Sequence, residues 1–337
     1  MQPAKGWNCT LRTVFDGLAA TSVRLIWGRP DPGTPPLRPM SPSPSALIIS
    51  ASYRTDIPAF HAEWFLRRLA AGRVRVANPY GGAPFEVPLG PGEVAGFVLW
   101  TRNLKPLMAD LPAVAARAPF AVQFTLTGYP RALETALIEA PAAVAQIQAV
   151  RRDWGPRAAV WRYDPILVSS LTPLDWHRGN FAELAAALAG SVDEVVVSFL
   201  DLYRKTARNL AAAATRHGFT WRDPEPAEKA ALVAELAGIA ARHRMRLTLC
   251  TEPALAGRGT EPARCIDAQR LSDVAQRPIL APEQGNRPGC LCARSRDIGA
   301  YDSCAHGCVY CYAVESRARA VARIKARDIE AEGLTPA

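Results

Sequence analysis

From residue 46 onward the chain alternates between two rhythms. Six short apolar runs, rich in β-branched residues, read as buried parallel strands: "ALIIS" (46–50), "GFVLW" (96–100), "AVQFTLT" (121–127), "AAVWRY" (158–163), "EVVVSF" (194–199) and "RLTLC" (246–250). Between them lie stretches of helical period at 58–72, 131–154, 181–190 and 226–244, with Pro141 set to break or kink the second. Strand and helix in alternation predict an α/β protein with a parallel sheet, closed or partly closed as a (β/α)6-type partial TIM barrel. An open doubly wound sheet competes, but no G-x-G-x-x-G follows the first run.

Each run leaves its apolar core through residues able to do chemistry. The exits carry Arg54 and Asp56, then Arg102, Tyr129, Arg162 and Asp164, Asp201 to Lys205, and finally Cys250 and Glu252. In α/β barrels the C-terminal strand ends form the mouth where ligands bind, so six such exits predict a functional mouth. Helix caps and turns are the plainer reading of any single exit. Arg162, Asp164 and Asp56 are the candidate catalytic residues, with a purely structural Arg–Asp pairing as the alternative. The polar segment 201–225 reads as a lid or substrate loop, His61 and His177 as surface or capping residues, and Trp100 and Trp161 as packing.

Residues 28–45, "GRPDPGTPPLRPMSPSPS", cannot hold regular structure, and 1–28 shows no clear period. The expected organisation is an unstructured extension over 1–45, with Met40 an alternative start, a barrel core over 46–250, and a cysteine-rich region with a closing helix over 251–337. No apolar run of membrane-spanning length and no secretory leader is visible, which makes the cytoplasm the default location. The net charge of +9 includes a basic cluster at Arg317, Arg319, Arg323, Lys325 and Arg327. It permits a nucleic-acid partner without requiring one.

Seven of the eight cysteines follow residue 249, a clustering that favours metal ligation over disulfides. Cys304, Cys308 and Cys311 stand as C-x3-C-x2-C, with Gly307 allowing a sharp turn. Three thiolates leave one iron of a four-iron cluster open. Zinc with a fourth ligand from elsewhere, His306 included, is the alternative. Cys250, Cys265, Cys290 and Cys292 would form a second site, a [4Fe–4S] cluster or zinc, unless Cys250 is a core residue and the C-L-C pair incidental.

The three-cysteine loop, with Tyr310 directly before its last cysteine, resembles the signature of the radical S-adenosylmethionine (SAM) enzymes, and "GCVYCYA" is similar to the spore-photoproduct-lyase-like branch. "YRTDIPAF", "FVLWTRN", "WRYDPIL" and "DIGAYDSCAHGCVYCYA" together resemble an uncharacterised bacterial family, a domain of unknown function with such a cluster at its C-terminus. The resemblance implies a partial or full α/β barrel and a [4Fe–4S] cluster on Cys304, Cys308 and Cys311. It also implies SAM on the open iron, Tyr310 beside the adenine, and an electron donor such as flavodoxin or ferredoxin. Reductive cleavage of SAM to a 5′-deoxyadenosyl radical would then act on a small-molecule or nucleic-acid substrate. The usual loop follows the first barrel strand; here it follows all six runs, which suggests a circular permutation. No Gly-Gly-Glu-like methionine-binding motif is visible, so a non-catalytic iron–sulfur or zinc protein for electron transfer, sensing or nucleic-acid binding is the competing reading.

Overall fold

The computed structural model describes residues 9–13, 23–27, 46–78, 81–257 and 259–334. The chain divides into two units, Met1–Met40 and Ser41–Ala337. In the first, strands Cys9–Thr13 and Val23–Trp27 pair antiparallel with Cys9 opposite Trp27, so these residues depart from the unstructured segment expected over 1–45. The Pro/Ser-rich stretch 28–45, Met40 included, lies outside the described residues.

The second unit is built on a parallel sheet of eight strands rather than six. They are β1 (Leu47–Ala51), β2 (Val94–Thr101), β3 (Phe120–Thr125), β4 (Ala159–Ile166), β5 (Glu194–Phe199), β6 (Arg246–Leu249), β7 (Thr260–Pro262) and β8 (Ser295–Asp297). Neighbours run in the order β7-β6-β5-β4-β3-β2-β1-β8. The two added strands come from the cysteine-rich region, which therefore belongs to the same sheet instead of forming a separate part. Both are three residues long and polar ("TEP", "SRD"), too short to carry a hydrophobic period.

The central strands β1 to β6 are mostly apolar because both faces of the sheet are covered. One face packs Ile49, Phe97, Val122, Trp161 and Val195 against the helices, through Phe65, Ile147, Phe181 and Leu232. The other packs Ile48, Val98, Ala121, Val160 and Val196 under Ile266, Leu271, Ile279 and the buried Cys265 and Cys292. Here helix Ala268–Ala275 lies so close that a Cβ on Gly96 would meet Leu271 at 2.8 Å. That cover fills one part of the face and leaves the C-terminal strand ends open.

Helices α1 (Ile57–Phe60) and α2 (Ala62–Ala71) follow β1, α3 (Lys105–Met108) and α4 (Leu111–Arg117) follow β2, and α5 (Ala140–Trp154) follows β3. Then come α6 (Leu174–Ala187), α7 (Arg204–His217), α8 (Pro226–Arg242), α9 (Ala268–Ala275) and α10 (Arg317–Ala326). Pro141 starts α5 instead of breaking it, since its missing N–H has no helical partner there. The expected helix over 131–139 is a series of turns. The expected loop over 201–225 contains α7, whose buried Leu210 and Ala213 pack against Leu133 and Tyr310.

His61 and His177 are buried and not at the surface; His61 stands at the cap position between α1 and α2, while His177 lies within α6. His177 Nδ1 meets the Tyr163 hydroxyl at 2.9 Å and Nε2 meets the Leu167 carbonyl at 3.1 Å. Burial lowers its pKa from 6.5 to about 4. The unfolded chain takes up this proton near pH 6.5 and the folded one only near 4, so the associated stability is complete above 6.5 and is lost between those values. Urea unfolding between pH 7.5 and 4 is expected to show a loss of roughly 3 kcal/mol from this residue. The check is His177→Gln, whose pH slope must be shallower than that of the parent; equal slopes would exclude the assignment.

Candidate functional site

A cavity of about 1160 Å³ opens at the C-terminal strand ends. Its walls include Asp56, Arg162, Asp164, Tyr310 and all seven late cysteines. Of the candidate residues singled out in the sequence, all but Gly307 line this one cavity.

Cys304, Cys308 and Cys311 reach this cavity because their loop is pinned on three sides. Residues 133–136, just after β3, run alongside it: Val309 N–H donates to the Leu133 carbonyl (3.0 Å) and Ala136 N–H to the His306 carbonyl (2.9 Å). From α10, Arg317 Nε donates to the Ala305 carbonyl (3.0 Å), and Arg323 Nη1 donates to the Tyr301 carbonyl (3.0 Å). Arg319 pairs with Glu315 at 2.6 Å. Arg317 and Arg323, although exposed, thus help to hold the loop in place.

Gly307 turns at φ +77°, and a Cβ there would stand 2.5 Å from Arg317 Cδ and 3.0 Å from Thr135 Cβ. It shapes the backbone of the loop and does not line the cavity. Gly307→Ala is expected to cost about 1–3 kcal/mol in thermal unfolding, from left-handed backbone strain and crowding together. An unchanged melting point would mean that the loop is not held as described.

Asp56 is committed to positioning. Its Oδ1 accepts from Ala59 N–H (2.9 Å) and Thr101 Oγ1 (2.8 Å), and its Oδ2 from Arg102 N–H (2.7 Å). The same Oδ2 lies 2.7 Å from His306 Nε2. One carboxylate thereby caps α1 and ties the β2 exit to the cysteine loop. Arg54 pairs not with Asp56 but with Asp297, at 2.9 Å. Asp297 also accepts from Ser50 Oγ and Ser52 Oγ, both at 2.7 Å, locking β8 to β1 directly ahead of the loop.

Below the loop lies a buried cluster that sequence reading missed in part. Arg102 Nη1 donates to Glu134 Oε1 (2.6 Å) and its Nη2 to the Tyr310 hydroxyl (2.9 Å). Tyr310 in turn donates to Glu134, which also accepts from Thr127 Oγ1 at 2.7 Å. Glu134 was assigned to a helical stretch, where a carboxylate reads as surface charge. Tyr310 lines the cavity with its ring while its hydroxyl serves as an anchor.

Burial pushes the Cys304 thiol well up, aided by the Asp56 charge and the two neighbouring thiols. Burial likewise raises Cys308 to about 12, against the pull of Arg102. Burial raises the Cys311 thiol as well, against smaller opposing pulls that include the charge of Lys205 at the start of α7, whose ammonium lies 5.6 Å from the Tyr301 ring. Arg162, inside β4 and not beyond its end, pairs with Asp164 and donates to Cys265 Sγ at 3.0 Å. It also stacks 5.1 Å from the Trp100 ring. This pair therefore lies against the second cysteine set.

All seven late cysteines are free thiols. Among the described residues, no three His, Cys, Asp or Glu side chains are closed up as a cage for a single ion. Among the described residues no helix is long and apolar enough to cross a membrane. The profile of a family described as a domain of unknown function, DUF1848, matches residues 48–313, a span running from β1 through the cysteine loop. No curated protein matches the chain.

Proposed function

The chain belongs to this family of unknown function, and from that premise we propose that it is a radical-SAM-type iron–sulfur enzyme. The observation that carries the reading is the placing of Cys304, Cys308 and Cys311 on one wall of a cavity of about 1160 Å³ at the strand exits. Three thiolates from one tight loop suit a [4Fe–4S] cluster with one iron left for a small molecule. The donor set fits: three half-buried sulfurs facing one cavity, with the Arg102 guanidinium near enough to favour the Cys308 thiolate. The cavity volume also exceeds what a drug-sized ligand fills.

When bound, the cluster would supply the electron that cleaves the sulfonium of SAM. The protein's part is to hold and aim. Cys304, Cys308 and Cys311 would ligate the cluster, and Lys205 would pair with the methionine carboxylate. The ring of Tyr310 would bound the adenine, while Asp56 and His306 would fix the loop. A flavodoxin or ferredoxin would deliver the electron.

The strand order supports the permuted-barrel form of this proposal. Each strand neighbours its successor from β1 to β7, and β8 returns beside β1, as in a parallel barrel with an unpaired seam between β7 and β8. The loop therefore follows a strand, β8, whose register against β1 sets Ser295 opposite Ile48. In a permuted chain β8 would take the role of the first strand.

The test is anaerobic reconstitution with iron and sulfide, followed by SAM and dithionite. Release of 5′-deoxyadenosine is the expected result. An intact cluster that releases none, with a spectrum unchanged by SAM, would favour the non-catalytic iron–sulfur reading instead.

A further inference from the structure

We propose that Cys250, Cys265, Cys290 and Cys292 form a second, separate metal site held by four thiolates. Three segments deliver them: Cys250 directly follows β6, Cys265 follows β7, and Cys290 with Cys292 lies on the loop before β8. They nonetheless meet on one part of the cavity wall. Cys265 Sγ lies 3.6 Å from Cys250 Sγ, and Cys292 is in side-chain contact with both Cys265 and Cys290. The contacts thus run 250–265–292–290. Four protonated thiols would hydrogen-bond in such a chain, and loss of their protons to a metal would remove those S–H···S contacts.

One sulfur pair already stands at ligation distance: four sulfurs about 2.3 Å from one tetrahedral ion stand roughly 3.8 Å apart, close to the 3.6 Å of Cys250–Cys265, and the set as it stands is a chain of contacts that a metal would draw into a cage. Donors already point at the sulfurs: Ile266 N–H reaches Cys292 Sγ at 3.4 Å, and Arg162 Nη1 reaches Cys265 Sγ at 3.0 Å. Such bonds orient metal-bound thiolates and offset their charge. Arg162 thereby acquires a role that its pairing with Asp164 alone does not explain.

The backbone around the set is shaped to bring Cys290 in. A Cβ on Gly285 would collide with the Cys290 carbonyl at 2.1 Å, so the loop closes only with glycine there. Gln284 N–H donates to the Cys292 carbonyl and Ala293 N–H to the Ile266 carbonyl, each at 2.8 Å, joining the Cys265 and Cys292 strands side by side. Two of the four sulfurs belong to residues packed in the sheet's second-face core, where a metal would also fasten β7 and β8 across the opening. The chemistry assigned is a thiophilic metal, with single zinc favoured by the short spacing and an iron–sulfur cluster the other source of four-thiolate ligation.

This proposal does not depend on the three-cysteine loop holding a cluster. Zinc, iron and acid-labile sulfide would be measured per chain on anaerobically purified protein in three forms: wild type, Cys290→Ser/Cys292→Ser, and Cys304→Ser/Cys308→Ser/Cys311→Ser. The triple variant is expected to keep one metal complement, and the double variant to lose more than about ten-fold of that same metal while keeping the other. Zinc lost identifies a single ion; iron lost with sulfide identifies a cluster; either supports the site. Should the double variant not fold, Co²⁺ added to the metal-stripped triple variant decides, because visible bands of tetrahedral thiolate ligation are expected. Metal content equal in wild type and double variant would overturn the proposal, as would absence of those bands or a mass two hydrogens lower from a Cys250–Cys265 or Cys290–Cys292 disulfide.

Discussion

Replacing Cys304 by serine is expected to reduce 5′-deoxyadenosine formation to the level seen without protein, while the fold persists. A serine hydroxyl is a hard, weakly ionised oxygen where the iron requires a soft thiolate, so the substitution removes a ligand and little volume. The loop does not depend on that sulfur for its place. Asp56, Arg317 and the pairing with residues 133–136 hold its backbone and the His306 ring. Thermal unfolding of the metal-free variant should therefore match that of the metal-free parent. The iron and sulfide attributable to the loop should disappear together. SAM cleavage at the parent rate would remove Cys304 from the site and the radical-SAM reading with it; Cys308→Ser and Cys311→Ser should behave alike, since no one of three ligands is spare.

The parts legible in the sequence were those that carry a period or a motif. The six longer strands announce themselves because both faces are buried, which makes most positions apolar. The cysteine loop is visible because its three cysteines are local in sequence. What stayed hidden depends on distant partners. β7 and β8 are three-residue polar strands that exist by pairing with β6 and β1. Asp297 reads as an ordinary loop carboxylate until Ser50, Ser52 and Arg54 arrive from 243 to 247 residues away. Glu134 is distant in sequence from Tyr310 and looks like surface charge, and Arg102, though visible as a strand-exit residue, gives no sign of its partner. α7 was obscured by its basic start, although its small residues at 211–214 have high helical propensity. The arginines of α10 show the converse. A cluster that reads as a charged surface is largely occupied in binding the chain's own carbonyls and carboxylates.

Glu134→Ala is expected to be the most destabilising single change in the site, costing roughly 3–5 kcal/mol in urea unfolding of the metal-free protein. The carboxylate is 3% exposed and receives bonds from Arg102, Thr127 and Tyr310. Its removal leaves the Arg102 charge beneath the cysteine loop without its carboxylate partner, and an unpaired buried charge costs far more than a surface pair is worth. Tyr310→Phe deletes one hydroxyl from the same cluster and should cost only about 1 kcal/mol. Glu134→Gln keeps shape and two hydrogen-bonding ends but loses the charge, so it should fall between the two. The pair Arg102→Met/Glu134→Leu separates charge from packing: it should recover much of the loss, because apolar residues of similar volume replace a buried ion pair at little cost. Alanine and leucine–methionine variants equally destabilised would mean that the cluster matters for its shape and not its charge. If the charge is what matters, reconstituted Glu134→Ala should also lose iron from the loop faster than the parent under a chelator, since residues 133–136 are the strip against which the loop is laid.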